Sequence, residues 1–141
     1  MLILVLLTFL GIGAATISSI QVRMAANDRN FKRAFYLAES AAMEAVQRIE
    51  NTAENDLRSG SISWINSQAA LSGVDAAGWN GSQSSSSSLD PGTRYGAVDQ
   101  GVAAGSSLGM GDTNLRSYDV YGRYGGPRGS CLVEVGYRKR F

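Results

Sequence analysis

MLILVLLTFLGIGAATISSIQV, residues 1–22, carries no charged side chain, and twelve of its residues are Leu, Ile, Val or Phe. As a helix it rises about 33 Å at 1.5 Å per residue, enough to cross a bilayer core. Its apolar residues give an upper limit of about −4 to −7 kcal/mol for insertion. Gly11, Gly13, Thr8, Thr16, Ser18 and Ser19 reduce that figure. A buried soluble helix of this kind would need apolar partners on every side, and the rest of the chain is poor in large apolar residues. A secretory signal peptide fits badly, because a basic start and a shorter apolar core are missing. Two readings stay open from composition: a plain membrane anchor for an outer domain, and a helix that sits first in lipid and later in a protein assembly. Gly11 and Gly13 are a local weak point in the helix, at about 1 kcal/mol each relative to Ala. They serve either close helix approach or local melting.

Helical periodicity continues beyond the apolar run. Phe31, Phe35, Ala38, Ala42, Ala45, Ile49 and Ala53 recur at spacings of three and four, which places them on one face. That face is expected to pack on the remainder of the chain, with Phe31, Phe35, Ala38, Ala42, Ala45 and Ile49 making the contact. Glu44 and Arg48 form a favourably oriented i, i+4 pair. Gly60 supplies a stop, so one helix is expected over residues 1–58, about 87 Å long. Three segments follow: 1–22 as an apolar membrane or filament-core helix, 23–58 as its amphipathic continuation, and 59–141 as a head.

The head reads as a small sheet domain. Tyr118, Val120, Gly122 and Tyr124 alternate with polar residues, as do Cys131, Val133, Val135 and Tyr137. Two strands joined through residues 125–129 are expected, with Arg94–Val98 as a third. Ser84–Ser88 reads as an exposed flexible loop, and Ile62–Leu71 as a short helix or irregular turn. Asp90-Pro91-Gly92 is a turn signal, and residues 101–111 read as a long loop. Fifteen glycines in these 83 residues weaken the head as an independent unit. The expected class is α+β: a long N-terminal helix packed on a small antiparallel sheet.

Composition narrows function. Thirteen basic against twelve acidic residues give a net charge of +1, which removes the basic excess of a general nucleic-acid binder. The chain has no histidine and one cysteine, Cys131, so imidazole chemistry and multi-cysteine metal sites are excluded. No catalytic, cofactor or metal site can be named, and the chain is expected not to be an enzyme. Arg23, Asp28, Arg29, Lys32 and Arg33 flank the apolar segment. The positive-inside rule would put that flank in the cytoplasm, unless a basic leader precedes Met1, so orientation stays open. Glu39 lies beside the apolar stripe, where it is either solvated or paired with Arg29, Lys32 or Arg33 of its own or a neighbouring helix. Cys131 is expected to be a buried small hydrophobe, and residues 138–140 a solvated basic tail. Asn80-Gly81-Ser82 fits a glycosylation sequon, a pattern that also arises by chance.

Three stretches carry a family resemblance. MLILVLLTFLGIGAATISSIQ is similar to the assembly segment of type IV pilins. RMAANDRNFKRAFYLAESAAMEA, residues 23–45, resembles the pattern that follows it in the PilX-like minor pilins. SYDVYGRYGGPRGSCLVEVGYRKR resembles their closing hairpin. The resemblance implies a subunit of an extracellular filament that waits in the inner membrane and then assembles with other pilins through its N-terminal helix. It also implies a pilus assembly machinery and a prepilin peptidase as partners, and Met1 as the candidate for processing and N-methylation. Leu2, Leu4, Val5, Leu6, Phe9, Leu10 and Ile12 would then form the assembly interface. Most major pilins carry a glutamate at the fifth mature position. Here the residue is Val5, and Asp28 is the first acid of the chain. A pseudopilin of a type II secretion system and a monomeric anchored binding module are the alternatives.

Overall fold

The computed structural model describes residues 1–66, 79, 83–103, 115–127 and 129–141. The chain divides into two units, Met1–Arg33 and Ala34–Phe141. Helix α1, Leu2–Asn51, begins in the first and ends in the second. A short helix α2 (Glu54–Arg58) and strands β1 (Ile65–Asn66), β2 (Ser85–Ser86), β3 (Thr93–Val102), β4 (Leu115–Gly126) and β5 (Gly129–Arg140) complete the described elements. This is the α+β architecture with a long N-terminal helix that the sequence indicates.

In the second unit, β3, β4 and β5 form an antiparallel meander in the order β3-β4-β5. Period-2 alternation splits its residues between two faces. One face carries Tyr95, Ala97, Tyr118 and Val120, all buried in one cluster with Ala41, Ala42, Ala45 and Ile49 of α1. The other carries Val98 and Tyr121, buried with Trp79. β1 pairs in parallel with β3 through Ile65↔Ala97 and Asn66↔Val98, so the sheet is mixed rather than purely antiparallel.

Close approach sets the packing of α1. Gly122 of β4 lies against the helix backbone, where a Cβ would overlap the Ala38 carbonyl oxygen and stand 2.7 Å from the Ala42 nitrogen. Only small side chains permit that distance, and the buried face of α1 is Ala34, Ala38, Ala41, Ala42, Ala45 and Ile49. Phe31 and Phe35, expected at the head of this stripe, are 67% and 38% exposed. Ala38, Ala42, Ala45 and Ile49 of the expected stripe are buried; Phe35 sits at the edge of that face, and Phe31, on the same face, falls in the first unit, Met1–Arg33. Ala53 is also exposed.

The helix also stops earlier than expected. α1 ends at Asn51, and Ala53 adopts an extended conformation (φ −65°, ψ 150°) before α2. Two contacts account for the break. Thr52 Oγ1 donates to the Arg48 carbonyl at 2.6 Å. Lys139 Nζ, from β5, donates to the carbonyls of Ile49, Glu50 and Thr52 at 2.8, 2.9 and 2.8 Å. A cation there satisfies the unpaired last-turn carbonyls and the negative end of the helix dipole. The basic tail is therefore not simply solvated: Lys139 caps α1.

Other expectations on the head are corrected likewise. Ser84–Ser88 is not a free loop, since Ser85–Ser86 pairs antiparallel with β3 and Ser84 and Ser87 are buried. Ile65–Asn66 is a strand, and residues 67–71 lie outside the described residues. Thr93–Val102 extends the third strand beyond Arg94–Val98, taking in Gly101 and Val102; residues 104–111 of the expected loop, and the sequon at 80–82, lie outside the described residues. Cys131 is a free thiol, half-buried on β5 opposite Tyr124.

Candidate assembly surface

The first unit presents its apolar segment bare. The strongest 18-residue window of α1 has a mean hydropathy of 2.2, and none of it is buried. Leu2, Leu4, Val5, Leu6, Phe9, Leu10 and Ile12 are all exposed, Val5 least at 52% and Leu2 most at 79%. Both threonine hydroxyls of the segment are satisfied without outside help. Thr8 Oγ1 donates to the Val5 carbonyl at 2.7 Å and Thr16 Oγ1 to the Ile12 carbonyl at 2.8 Å. Such internal bonding is what an apolar surrounding requires. α1 stays helical through Gly11 and Gly13, and no other atom lies within 4 Å of a Cβ built at either. Met1 is fully exposed ahead of the first turn.

The charged flank holds an i, i+4 pair. Lys32 Nζ lies 2.7 Å from Asp28 Oδ2 on the same face of the helix, and both side chains are exposed. Arg29 and Arg33 are exposed. Glu39 belongs to the second unit, where it is half-buried and lines a groove of about 500 Å3 with Tyr36, Ser40, Met43 and Leu89.

The acid with a clear structural role is Glu44. Its Oε2 accepts from Ser87 Oγ at 2.6 Å and from the Ser88 N–H at 3.2 Å, and its Oε1 accepts from Arg48 Nη2 at 3.0 Å. Burial acts to raise the Glu44 carboxyl's pKa. The Ser87, Ser88 and Arg48 donors outweigh it and leave the pKa below the ordinary value of 4.5. The serine segment is thereby tied to α1 about two turns before the helix ends. Nothing local in a serine run signals this, because the partner lies 43 residues away. Arg48 also lies over the Tyr95 ring, 5.3 Å from its centroid. At the C-terminal end of α1, the Tyr137 hydroxyl donates to Glu50. Burial and then Glu50 push the Tyr137 pKa up to about 12.

Among the described residues, no group of three or more His, Cys, Asp or Glu side chains could hold a metal ion. What the molecule offers is an uncovered apolar helix on one unit and a helix-braced sheet in the other. Comparison with known proteins bears on the first. No curated protein and no solved structure matches the chain. Residues 1–42 match the family model described as PilX N-terminal, and this stretch is what the chain has in common with that family.

Proposed function

We propose that the chain is a structural subunit of a type IV pilus-like filament, assembling through its N-terminal helix. A minor-pilin role is supported by the PilX N-terminal match. The observation that carries the assembly reading is the exposure of the whole apolar segment, with the Thr8 and Thr16 hydroxyls bonded internally. Before assembly, residues 1–22 hold the subunit in the inner membrane. On assembly, the same side chains exchange lipid for neighbouring pilin helices. That exchange is nearly neutral in hydrophobic energy, so close packing has to direct it. Leu2, Leu4, Val5, Leu6, Phe9, Leu10 and Ile12 make those contacts. Met1 is where a prepilin peptidase and N-methylation would act, and Arg29, Lys32, Arg33 and Glu39 are the candidates for ion pairs between subunits, Lys32 by exchanging its Asp28 partner. Residues 1–22 hold no carboxylate that could fix register by an ion pair.

Aspartate at the centre of such a segment costs about 2.5–3.5 kcal/mol. Leu6→Asp or Leu10→Asp is expected to remove the subunit from filaments sheared off the cell surface. Normal incorporation of either variant would overturn the reading.

A further inference from the structure

The sheet face opposite α1 carries a notch of about 220 Å3, lined by Trp79, Pro91, Gly92, Arg94, Arg123 and Gly125. Arg94 of β3 and Arg123 of β4 are directly opposed in register, so two like charges sit side by side on one face. Such a cross-strand pair is unfavourable by itself. Arg94 is partly engaged: Nε donates to Ser84 Oγ at 2.9 Å and Nη2 to the Ser84 carbonyl at 3.2 Å. The Arg123 guanidinium lies over the Trp79 ring, 5.8 Å from its centroid, with no carboxylate within salt-bridge distance among the described residues. The acids of this face are taken elsewhere. Glu134 accepts from the Tyr121 hydroxyl at 3.2 Å, and Asp119 from Gln100 Nε2 at 2.5 Å.

Trp79 is 2% exposed and lines the notch beneath the Arg123 guanidinium, so its indole reports on what binds there. The side chains of the notch supply only donors and positive charge. The complementary group is an anion with several acceptor lone pairs, of a size to fit about 220 Å3.

We propose that the Trp79–Arg94–Arg123 notch is a binding site for an oxyanion, a carboxylate or phosphate group borne by a small ligand. The anion relieves the repulsion between Arg94 and Arg123 and accepts from their guanidinium N–H groups. This assignment is independent of filament assembly, because every residue in it belongs to the second unit.

The test follows the indole N–H resonances of the 15N-labelled full chain in detergent micelles. Acetate, inorganic phosphate and glucuronate serve as probes, with ionic strength held constant by chloride. The chain has two tryptophans, and Trp64, in the helix–sheet core, is the internal control. The Trp79 signal is expected to shift saturably while Trp64 stays still, and Arg123→Gln to weaken binding by about tenfold or more. Similar affinity for all three probes assigns a simple oxyanion seat, and tighter binding of glucuronate assigns the carboxylate of a sugar acid. Either supports the proposal. No saturable shift with any probe would overturn it, as would an unchanged response in Arg123→Gln. Should that variant lose the native Trp64 resonance, Arg123→Lys, which keeps the charge but not the guanidinium fork, is read by the same criterion.

Discussion

At the residue scale, two positions decide how α1 meets the rest of the second unit. Gly122 is required by distance, since a methyl there meets the Ala38 carbonyl and the Ala42 backbone. Gly122→Ala is expected to destabilise the second unit by about 1–3 kcal/mol, read as a fall in melting temperature of the full chain in detergent. Glu44 is required by charge. Its pKa is lowered in the fold, so the folded state favours the ionised form. The stability it contributes is present above the ordinary value of 4.5 and is lost as pH falls through the lower folded value. Melting followed downward from pH 6 should show this loss, and Glu44→Gln should flatten it. A variant with the same acid limb as the parent would contradict the Glu44–Ser87–Ser88 anchor. Glu44 was legible as a partner of Arg48, because i, i+4 spacing is local. Its bond to Ser87 was not, because a hydroxyl that caps a distant carboxylate leaves no periodic trace.

At the element scale, the reading was best where one pattern dominated. Strict alternation in 118–124 and 131–137 marked β4 and β5, since a half-buried strand must alternate. The helix was legible as an element, and Ala38, Ala42, Ala45 and Ile49 of its stripe are buried, but it ends earlier than the pattern and its buried face takes in Ala34 and Ala41 rather than Phe35. Spacing cannot show that Gly122 needs small residues opposite it, nor that Phe31 falls in the first unit. The end of α1 depends on Lys139, nearly ninety residues on. Lys139→Gln is expected to cost about 1–2 kcal/mol, because three carbonyls lose a cationic donor. Amide hydrogen exchange in the last turn of α1 should quicken selectively. Uniform change across the sheet, or none, would show that the cap is not what ends the helix.

At the scale of the whole molecule, composition already separated an uncharged segment from a balanced, glycine-rich head. The anion notch was invisible at that level. Arg94 and Arg123 are 29 positions apart and meet only through the β3–β4 register. The apolar segment, by contrast, was fully legible, because length and lack of charge fix what a helix can do in lipid. Its seven candidate contact residues are all exposed. A surface of this kind demands a covering, and the account holds that other pilin helices supply it outside the membrane.

The most direct measurement is electron microscopy of material sheared from the surface of the native cell, joined to mass spectrometry of the N-terminal peptide recovered from it. The account expects this chain within a filament that survives shearing, with its apolar segment present and shielded from protease. A chain found only in the membrane fraction, as a detergent-bound monomer absent from every sheared fibre, would contradict it.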